Sequence, residues 1–281
     1  MTAAAPCPVC SAAMRRRKPW LSGCPACRFL KADLAAGSGA EVGGIEALRR
    51  DNFETVLDCL ETLVAAQGRR LLEVGCGRGW FLDAARRRGL AGIGIEPDAE
   101  AAEAAAGAGL EVRAGFFPQA LRPGERFEVV VFNDVFEHLP DPAGALESCC
   151  RVLEPGGLVV LNLPSSDGVF YRIGDALERV GVGFLFERLW QKDLSSPHLS
   201  YFNPDNLCRL AGRHGFDEVA RGRLETVRVG GLWRRLRGAG SLPLGAAAVV
   251  YLGVVLAAPL LGALPNDISL HFFRKNSLLT S

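Results

Sequence analysis

Three glycines and a distant acid have the spacing of a nucleoside-binding loop. Gly75, Gly77 and Gly79 form a Gly-x-Gly-x-Gly run, and Glu96 follows Gly75 by 21 residues. Glycines let the backbone approach a ligand closely, and an acid that ends the next strand can accept hydrogen bonds from ribose hydroxyls. The spacing therefore predicts a site for a ligand that contains a nucleoside.

The acid Glu73, two residues before the first glycine, indicates which nucleoside-containing ligand binds. A carboxylate at this position repels a pyrophosphate, but it attracts a ligand that carries an ammonium and a sulfonium group. The run is followed by Trp80, so the third glycine of the nicotinamide fingerprint is misplaced. Both features favour S-adenosylmethionine over NAD.

Alternating strands and helices must position these residues. The apolar pattern predicts strands over 70–74, 92–95, 110–113, 127–132 and 158–163, and helices over 45–66, 80–88, 99–106 and 141–153. This alternation is typical of an α/β, doubly wound sheet with helices on both faces. A helix over 204–214 and strands over 216–229 and 267–274 follow, whereas residues 165–203 show no regular period.

Four cysteines near the start form two Cys-x-x-Cys pairs. Cys7 and Cys10 are separated from Cys24 and Cys27 by 13 residues, a spacing that suits a tetrahedral Cys₄ zinc ribbon. A module this short cannot fold on an apolar core, so structural zinc would stabilise residues 1–32. Four free thiols, or a ribbon that has lost its metal, are the alternatives. The basic run 15–18 between the pairs is interpreted as a solvated hairpin rather than a nucleic-acid grip.

Further motifs occur in a fixed order over residues 45–230. Segments 71–80, 93–97, 127–139, 151–158 and 198–207 resemble, in turn, motifs I, II and IV, the turn before strand five, and the late segment of class I S-adenosylmethionine-dependent methyltransferases, ubiquinone-biosynthesis-like branch. The resemblance implies a Rossmann-like, seven-stranded sheet in a methyltransferase domain over 45–281. It places the cofactor at the ends of strands one and two.

The cofactor-binding residues expected from the loop and the resemblance are Glu73, Gly75, Cys76, Gly77, Gly79, Glu96, Pro97, Phe116, Asn133 and Asp134. Many relatives have an Asp after strand three that binds the adenine amine. This chain has Gly-Phe-Phe at residues 115–117, so the Phe116 ring is expected to stack on the adenine instead.

Two histidines are the candidates for the chemistry. Methyl transfer from a sulfonium is a direct displacement, and a base is needed only for a poorly nucleophilic hydroxyl or a carbon acid. His138 follows the fourth strand, whose end faces the ligand crevice, and it either acts as a base or shapes the pocket. His198 matches a histidine that lies near the acceptor in relatives. Tyr171 and Tyr201 either line the same pocket or belong to the core.

Residues 241–266 carry no charged side chain and are numerous enough to span a bilayer. However, a strand over 267–274 must return to the sheet, and Pro243, Pro259 and Pro265 interrupt the run. These features favour a helical insertion over about 232–265 that caps the site or lies in the lipid interface. The start of the chain lacks a basic and apolar leader. A cytoplasmic location is therefore expected, with peripheral contact at the inner membrane face as an option.

The net charge of +1 does not call for a polyanionic partner. The predicted acceptor is a small molecule, either lipid-like or a glycan precursor. Two alternatives remain open at this point: an RNA methyltransferase that uses the ribbon for grip, and a non-catalytic scaffold that keeps only the cofactor fold. The sequence does not indicate an oligomeric state.

Overall fold

The computed structural model describes residues 5–37, 46–226, 232–233, 244–261 and 267–276. Several predicted segments lie partly outside the described residues. They are the linker at 38–44, the end of the sixth predicted strand at 227–229, and the insertion at 234–243 and 262–265.

The strands form two sheets. Their bounds are β1 (Arg15–Lys18), β2 (Leu21–Gly23), β3 (Leu30–Ala32), β4 (Arg70–Val74), β5 (Ala91–Glu96), β6 (Glu111–Ala114), β7 (Phe127–Asn133), β8 (Leu153–Pro164), β9 (Ser200–Tyr201), β10 (Phe216–Arg223) and β11 (Ile268–Lys275). The larger sheet has seven strands in the order β10–β11–β8–β7–β4–β5–β6. Neighbours from β8 to β6 are parallel, and β11 pairs antiparallel with both β8 and β10. The predicted seven-stranded α/β fold is confirmed.

Helices cover both faces of this sheet. They are α1 (Glu46–Leu63), α2 (Trp80–Arg87), α3 (Ala99–Gly107), α4 (Pro142–Val152), α5 (Val169–Arg179), α6 (Phe184–Leu189), α7 (Pro204–Arg213) and α8 (Leu244–Leu261), with a 3₁₀ turn at Phe136–His138. Side chains of one strand alternate between two apolar clusters. Val129 and Val131 of β7 pack on the α1–α2 side, whereas Val130 and Phe132 pack on the α4–α7 side. This alternation explains why the strands are apolar throughout.

Residues 165–203 are more regular than the sequence indicates. They hold α5, α6 and the short strand β9, which the periodicity did not reveal. These elements are short, and aromatic packing stabilises them: the Tyr171, Phe186, Trp190 and Tyr201 rings form one buried cluster with Leu21 and Leu30 of the N-terminal module. An apolar period is hard to detect over six to eleven residues when the partner is a distant segment.

The cysteine module is joined to the α/β domain by a shared sheet. Strands β1, β2 and β3 form an antiparallel sheet, and β9 pairs with β3 to extend it. Asn206 Nδ2 of α7 donates to the Cys27 carbonyl at 3.1 Å, and Arg213 Nη1 donates to the Val9 carbonyl at 2.8 Å. The predicted hairpin at residues 15–18 is confirmed by the β1–β2 pairing.

The last two strands of the sheet occur where the sequence predicted them, with small differences in their bounds. Strand β10 ends at Arg223, earlier than predicted, and β11 returns between β8 and β10. Helix α8 lies between them in the chain and exposes Leu244, Leu252 and Leu256. Among the described residues, no helix combines the length and the apolar character needed to cross a membrane.

Candidate functional site

The glycine loop connects β4 to α2 in a conformation that favours glycine. Gly75, Gly77 and Gly79 have φ angles of 69°, 51° and 77°. A Cβ on Gly75 would stand 2.6 Å from Val135 Cγ2, which is too close for any side chain. The backbone at Gly75 is further fixed because its N–H donates to the Ile95 carbonyl at 2.8 Å. The loop therefore presents bare backbone at the carboxyl ends of β4 and β5.

Glu96, at the end of β5, is hydrogen-bonded to the glycine loop. One carboxylate oxygen accepts from the Gly77 N–H at 2.7 Å and the other from the Asp98 N–H at 2.9 Å. Each oxygen keeps a second lone pair, so the carboxylate can still accept from two ribose hydroxyls. Pro97 is exposed beside it. Phe116 is 70% exposed just past Gly115, whose N–H donates to the Glu96 carbonyl. An exposed aromatic ring at this point could stack on the adenine of the cofactor.

Glu73 at the end of β4 is a buried acid held by amides. Asn133 Nδ2 donates to Glu73 Oε1 at 2.8 Å, and Asn162 Nδ2 donates to Asn133 Oδ1 at 2.9 Å. Burial raises the pKa of Glu73 to about 8; the Asn133 hydrogen bond opposes this shift and the negative Glu96 adds to it. Glu73 Oε2 has no hydrogen-bond partner among the described residues. A buried oxygen without a partner fits the ammonium group of S-adenosylmethionine.

The other predicted cofactor residues have more limited roles. The Cys76 side chain is buried in the α1–α2 cluster, where its Sγ occupies the space a Cβ on Gly94 would need. Only the Cys76 backbone is therefore part of the loop. The Asn133 side chain is committed to Glu73 and Asn162, so it positions the acid. The backbone of Asp134 has a φ of 52°, and Asp134 Oδ2 lies 3.6 Å from Nε of Arg49 on α1.

The two predicted histidines meet at a third residue, Glu137. The His138 and His198 ring centroids are 4.8 Å apart, and each Nε2 lies 3.9 Å from Glu137 Oε1. His138 Nδ1 lies 2.9 Å from the Pro197 carbonyl, which can only accept a hydrogen bond. Burial raises the pKa of Glu137 well above its usual range. Burial, together with His138, lowers the pKa of His198 to about 3. Burial therefore favours the uncharged form of both side chains.

Three residues of this region were missed by the sequence analysis. Glu137 precedes His138 directly, and its adjacency to a candidate histidine was an available signal. Asn162 is a polar residue inside the apolar strand β8, which signals a buried hydrogen bond. Arg49 lies on α1, and no local pattern links it to Asp134, so only the fold brings them together.

The four predicted zinc ligands converge. All four sulfur atoms lie within 4.8 Å of one another. The Cys7–Cys27 and Cys10–Cys24 sulfur pairs are 3.6 and 3.4 Å apart. Tetrahedral zinc with Zn–S bonds of about 2.3 Å requires sulfur separations of roughly 3.8 Å. The cluster is therefore compatible with zinc after small adjustments.

Comparison with known proteins agrees with this geometry. A family model described as a methyltransferase domain matches residues 45–220, which is more than half of the chain. The chain belongs to the methyltransferase-domain family. This match and the relatives confirm the predicted methyltransferase family, and solved S-adenosylmethionine-dependent methyltransferases share the fold.

Relatives of this methyltransferase include two proteins named ubiquinone biosynthesis O-methyltransferase. The one from Alkalilimnicola ehrlichii is 34% identical over 117 residues, which are 39% of this chain and 46% of the relative. The one from Cereibacter sphaeroides is 29% identical over 161 residues, or 55% of this chain and 63% of the relative. The matches thus span less than two thirds of either relative.

A solved structure shows the same fold. Magnesium protoporphyrin IX methyltransferase from Synechocystis, with bound S-adenosylhomocysteine (SAH), has a TM-score of 0.55 to this methyltransferase. The two are 11% identical, and the alignment covers 83% of this chain and 86% of the other. At this identity the likeness concerns the fold.

The buried acid predicts a pH dependence of stability. The pKa of Glu73 rises from 4.5 in the unfolded chain to about 8 in the folded protein, so folding retains a proton between these values. The stabilising effect of that proton is complete below pH 4.5 and is lost as pH rises through about 8. Relative to Glu73→Gln, which cannot ionise, the wild-type free energy of unfolding should fall by up to about 1.4 kcal/mol per pH unit in this window.

Urea unfolding at pH 5 to 8 measures this difference. Glu103→Gln on α3 is the matched control, because Glu103 is exposed and should give a profile parallel to that of the wild type. Parallel profiles for Glu73→Gln and the wild type would show that Glu73 is already ionised in the folded protein.

Proposed function

We propose that this methyltransferase transfers a methyl group by direct displacement to a small-molecule acceptor, either lipid-like or a glycan precursor. The observation that carries the proposal is the His138–Glu137–His198 cluster. Glu137 and His138 follow β7 at the same sheet edge as Glu73 and Glu96, and His198 reaches them from the segment before β9. The relatives named ubiquinone biosynthesis O-methyltransferase support a small-molecule acceptor.

The cofactor half of the site has a distinct role for each group. When bound, S-adenosylmethionine supplies an electrophilic methyl group on a positively charged sulfur. The ammonium binds at Glu73 Oε2, and its positive charge favours the ionised carboxylate over the protonated form that burial favours. The Glu96 carboxylate accepts from the ribose hydroxyls. Phe116 stacks on the adenine, and the loop at Gly75–Gly79 leaves room for close backbone approach. These contacts align the donor, and alignment is the main contribution to a displacement of this kind.

His138 is the proposed base of the acceptor half. Its Nδ1 donates to the Pro197 carbonyl, so the lone pair is on Nε2. The His138 side chain is 19% exposed, compared with 8% for His198, so His138 is the more accessible to an acceptor. Because burial favours the uncharged form of Glu137 and of His198, these two side chains position the His138 ring without competing for the proton.

Replacement of His138 tests the proposed reaction. Labelled-methyl transfer from S-adenosylmethionine into a cell extract, followed by product identification, gives the acceptor and the rate. We expect His138→Ala to lower the rate roughly 10²- to 10⁴-fold, the usual contribution of a positioned base, with SAH affinity unchanged. His214→Ala is the control, since His214 lies apart from the site beside Glu147. A variant His138→Ala that transfers methyl at the wild-type rate would remove His138 as the base.

RNA as the acceptor has weaker support in the structure. Two residues of the basic run are paired with acids of α5: Arg17 with Asp175, and Lys18 with Glu178. Their charge is thus largely neutralised within the protein. The scaffold alternative is set aside, because the family match and the relatives indicate an enzyme.

We further propose that the Cys7, Cys10, Cys24 and Cys27 cluster holds structural zinc. Two of these side chains, Cys7 and Cys24, are buried, and a module of this length is too short to fold on an apolar core of its own. Metal bonds would fix the loops that carry Cys27, whose carbonyl accepts from Asn206. Zinc would thereby stabilise the contact between the module and α7.

Removal of one ligand tests the zinc proposal. Purified protein should contain about one zinc per chain, and Cys27→Ser should lose the metal and lower the melting temperature. Cys59→Ser is the matched control because Cys59 is a half-buried thiol that lies in none of the described groups able to hold a metal ion. A structural zinc would be contradicted if the purified wild-type protein contained no metal and Cys27→Ser had the same melting temperature as the wild type.

We also propose a cytoplasmic protein that contacts the inner membrane face through α8. Leu244, Leu252 and Leu256 are exposed within about a third of the helix circumference. Trp233 is 40% exposed and contacts Tyr251 at 5.6 Å between centroids, an aromatic pair of the kind found at lipid interfaces. A contact of this kind, made by an exposed apolar helix, would suit a lipid-like acceptor.

Liposome flotation tests the membrane contact. Full-length protein should float with vesicles that contain anionic lipid, and the double substitution Leu252→Gln/Leu256→Gln should reduce flotation several-fold. The matched control is Val180→Gln/Val182→Gln, two apolar residues that are exposed between α5 and α6. Wild-type protein that stays with the soluble fraction would contradict the membrane contact.

A further inference from the structure

A cavity of about 590 Å³ lies between the cysteine module and α5. One wall is formed by β1, the Gly23–Pro25 turn and Arg28. The other wall is formed by α5 and by Ser166 and Asp167, which follow β8. This volume is in the range of natural small-molecule sites.

Positive charge dominates the lining of this cavity. It contains five arginines and two aspartates: Arg15, Arg17, Arg28, Arg172, Arg179, Asp167 and Asp175. Arg17 and Arg179 share Asp175, and Arg28 pairs with Asp167 at 3.0 Å. Arg15 and Arg172 make no ion pair or side-chain hydrogen bond with any other described residue. Two guanidinium groups, one on each wall, are therefore available to a ligand.

The arrangement of these two arginines favours a phosphate over a carboxylate. Arg15 lies on β1 of the cysteine module, whereas Arg172 lies on α5 across the cavity. A guanidinium group pairs with two oxygens of one anion through parallel hydrogen bonds. A carboxylate has only two oxygens, but a phosphate or diphosphate has enough to engage arginines on both walls.

The cavity is also close to the proposed acceptor site. Tyr171 lines the cavity, its ring lies 4.6 Å from that of Tyr201, and Tyr201 lies 5.5 Å from the His198 ring. The Tyr171 hydroxyl is buried without a hydrogen-bond partner among the described residues. Burial raises the pKa of Tyr171, so its hydroxyl stays protonated and can donate. The segment 165–168 that borders the cavity follows the carboxyl end of β8, at the edge where the cofactor loop lies.

We propose that this cavity binds a phosphate or diphosphate ester that forms the remote part of the methyl acceptor. The ester is held between Arg15 and Arg172, and the rest of the acceptor extends past Tyr171 towards the two histidines. The inference rests on the proposed function, because it assumes that this chain methylates a small molecule. Both a soluble nucleoside diphosphate ester and a lipid diphosphate ester have this chemistry.

Isothermal titration of the full-length protein tests the proposal and distinguishes the two sources. The probes are inorganic pyrophosphate, uridine diphosphate and farnesyl diphosphate, and SAH is titrated in parallel. We expect tighter binding of one of the two esters than of pyrophosphate. Preference for uridine diphosphate supports a soluble nucleotide ester, and preference for farnesyl diphosphate supports a lipid ester.

Substitution of the two available arginines locates the site. Arg15→Gln/Arg172→Gln should weaken binding of the preferred ester roughly tenfold for each arginine, because each removes a charge-assisted hydrogen-bonding group. The matched control is Arg16→Gln/Arg188→Gln, which removes the same charge from two exposed arginines outside the cavity. SAH affinity should be unchanged in both double variants, which also shows that they are folded. If the double variant does not bind SAH, the single variants replace it.

Three results would overturn the inference. The first is wild-type protein that binds SAH but none of the phosphate probes. The second is ester binding that the Arg15 and Arg172 substitutions leave unchanged. The third is steeply salt-dependent binding of a structured RNA together with no binding of the small esters, which would assign the cavity to nucleic acid. Wild-type protein that fails to bind SAH would instead contradict the cofactor assignment in the proposed function.

Discussion

A buried carboxyl group on β4, inside the seven-stranded sheet, is the constraint on which the site depends. An acid in a protein interior has a high free-energy cost unless hydrogen bonds compensate it. Here the compensation crosses three adjacent strands: Glu73 on β4 binds Asn133 on β7, which binds Asn162 on β8. Asn162 Oδ1 in turn accepts from the Asp134 N–H at 3.0 Å, where the chain leaves β7. The same amides that hold the acid thus fix the strand ends around the cofactor loop.

Two regions of the structure differ in the groups that line them. The carboxyl edge of the sheet gathers the carboxyl groups of Glu73, Glu96, Asp134 and Glu137, and those of Glu73 and Glu96 border the positions expected for a cationic cofactor. The cavity beside the cysteine module is lined mainly by arginines. The aromatic cluster of Tyr171, Trp190 and Tyr201 connects the two regions, because Tyr171 lines the cavity and the Tyr201 ring lies 5.5 Å from the His198 ring. This arrangement fits a reaction in which donor and acceptor carry opposite charges.

The sequence predicted the elements with a long or strongly apolar pattern. The strands around Glu73 and Glu96, the glycine loop and the two Cys-x-x-Cys pairs were identified correctly, because local spacing specifies each of them. The sequence did not reveal α5, α6 or the pairing of β9 with β3, because their stability comes from contacts between residues more than 150 positions apart in sequence. For the same reason His138 and His198 were found separately, whereas Glu137 between them became evident only in the fold.

The connection between the last two strands has a topological consequence. Arg223 near the end of β10 pairs with Ser269 near the start of β11, so the intervening chain leaves the sheet and returns to it at one point. A short turn could join the same two residues without altering the register of either strand. The segment that contains α8 can therefore differ in length without altering the pairing of β10 with β11. Closely similar scaffolds could in this way be adapted to different cellular surroundings.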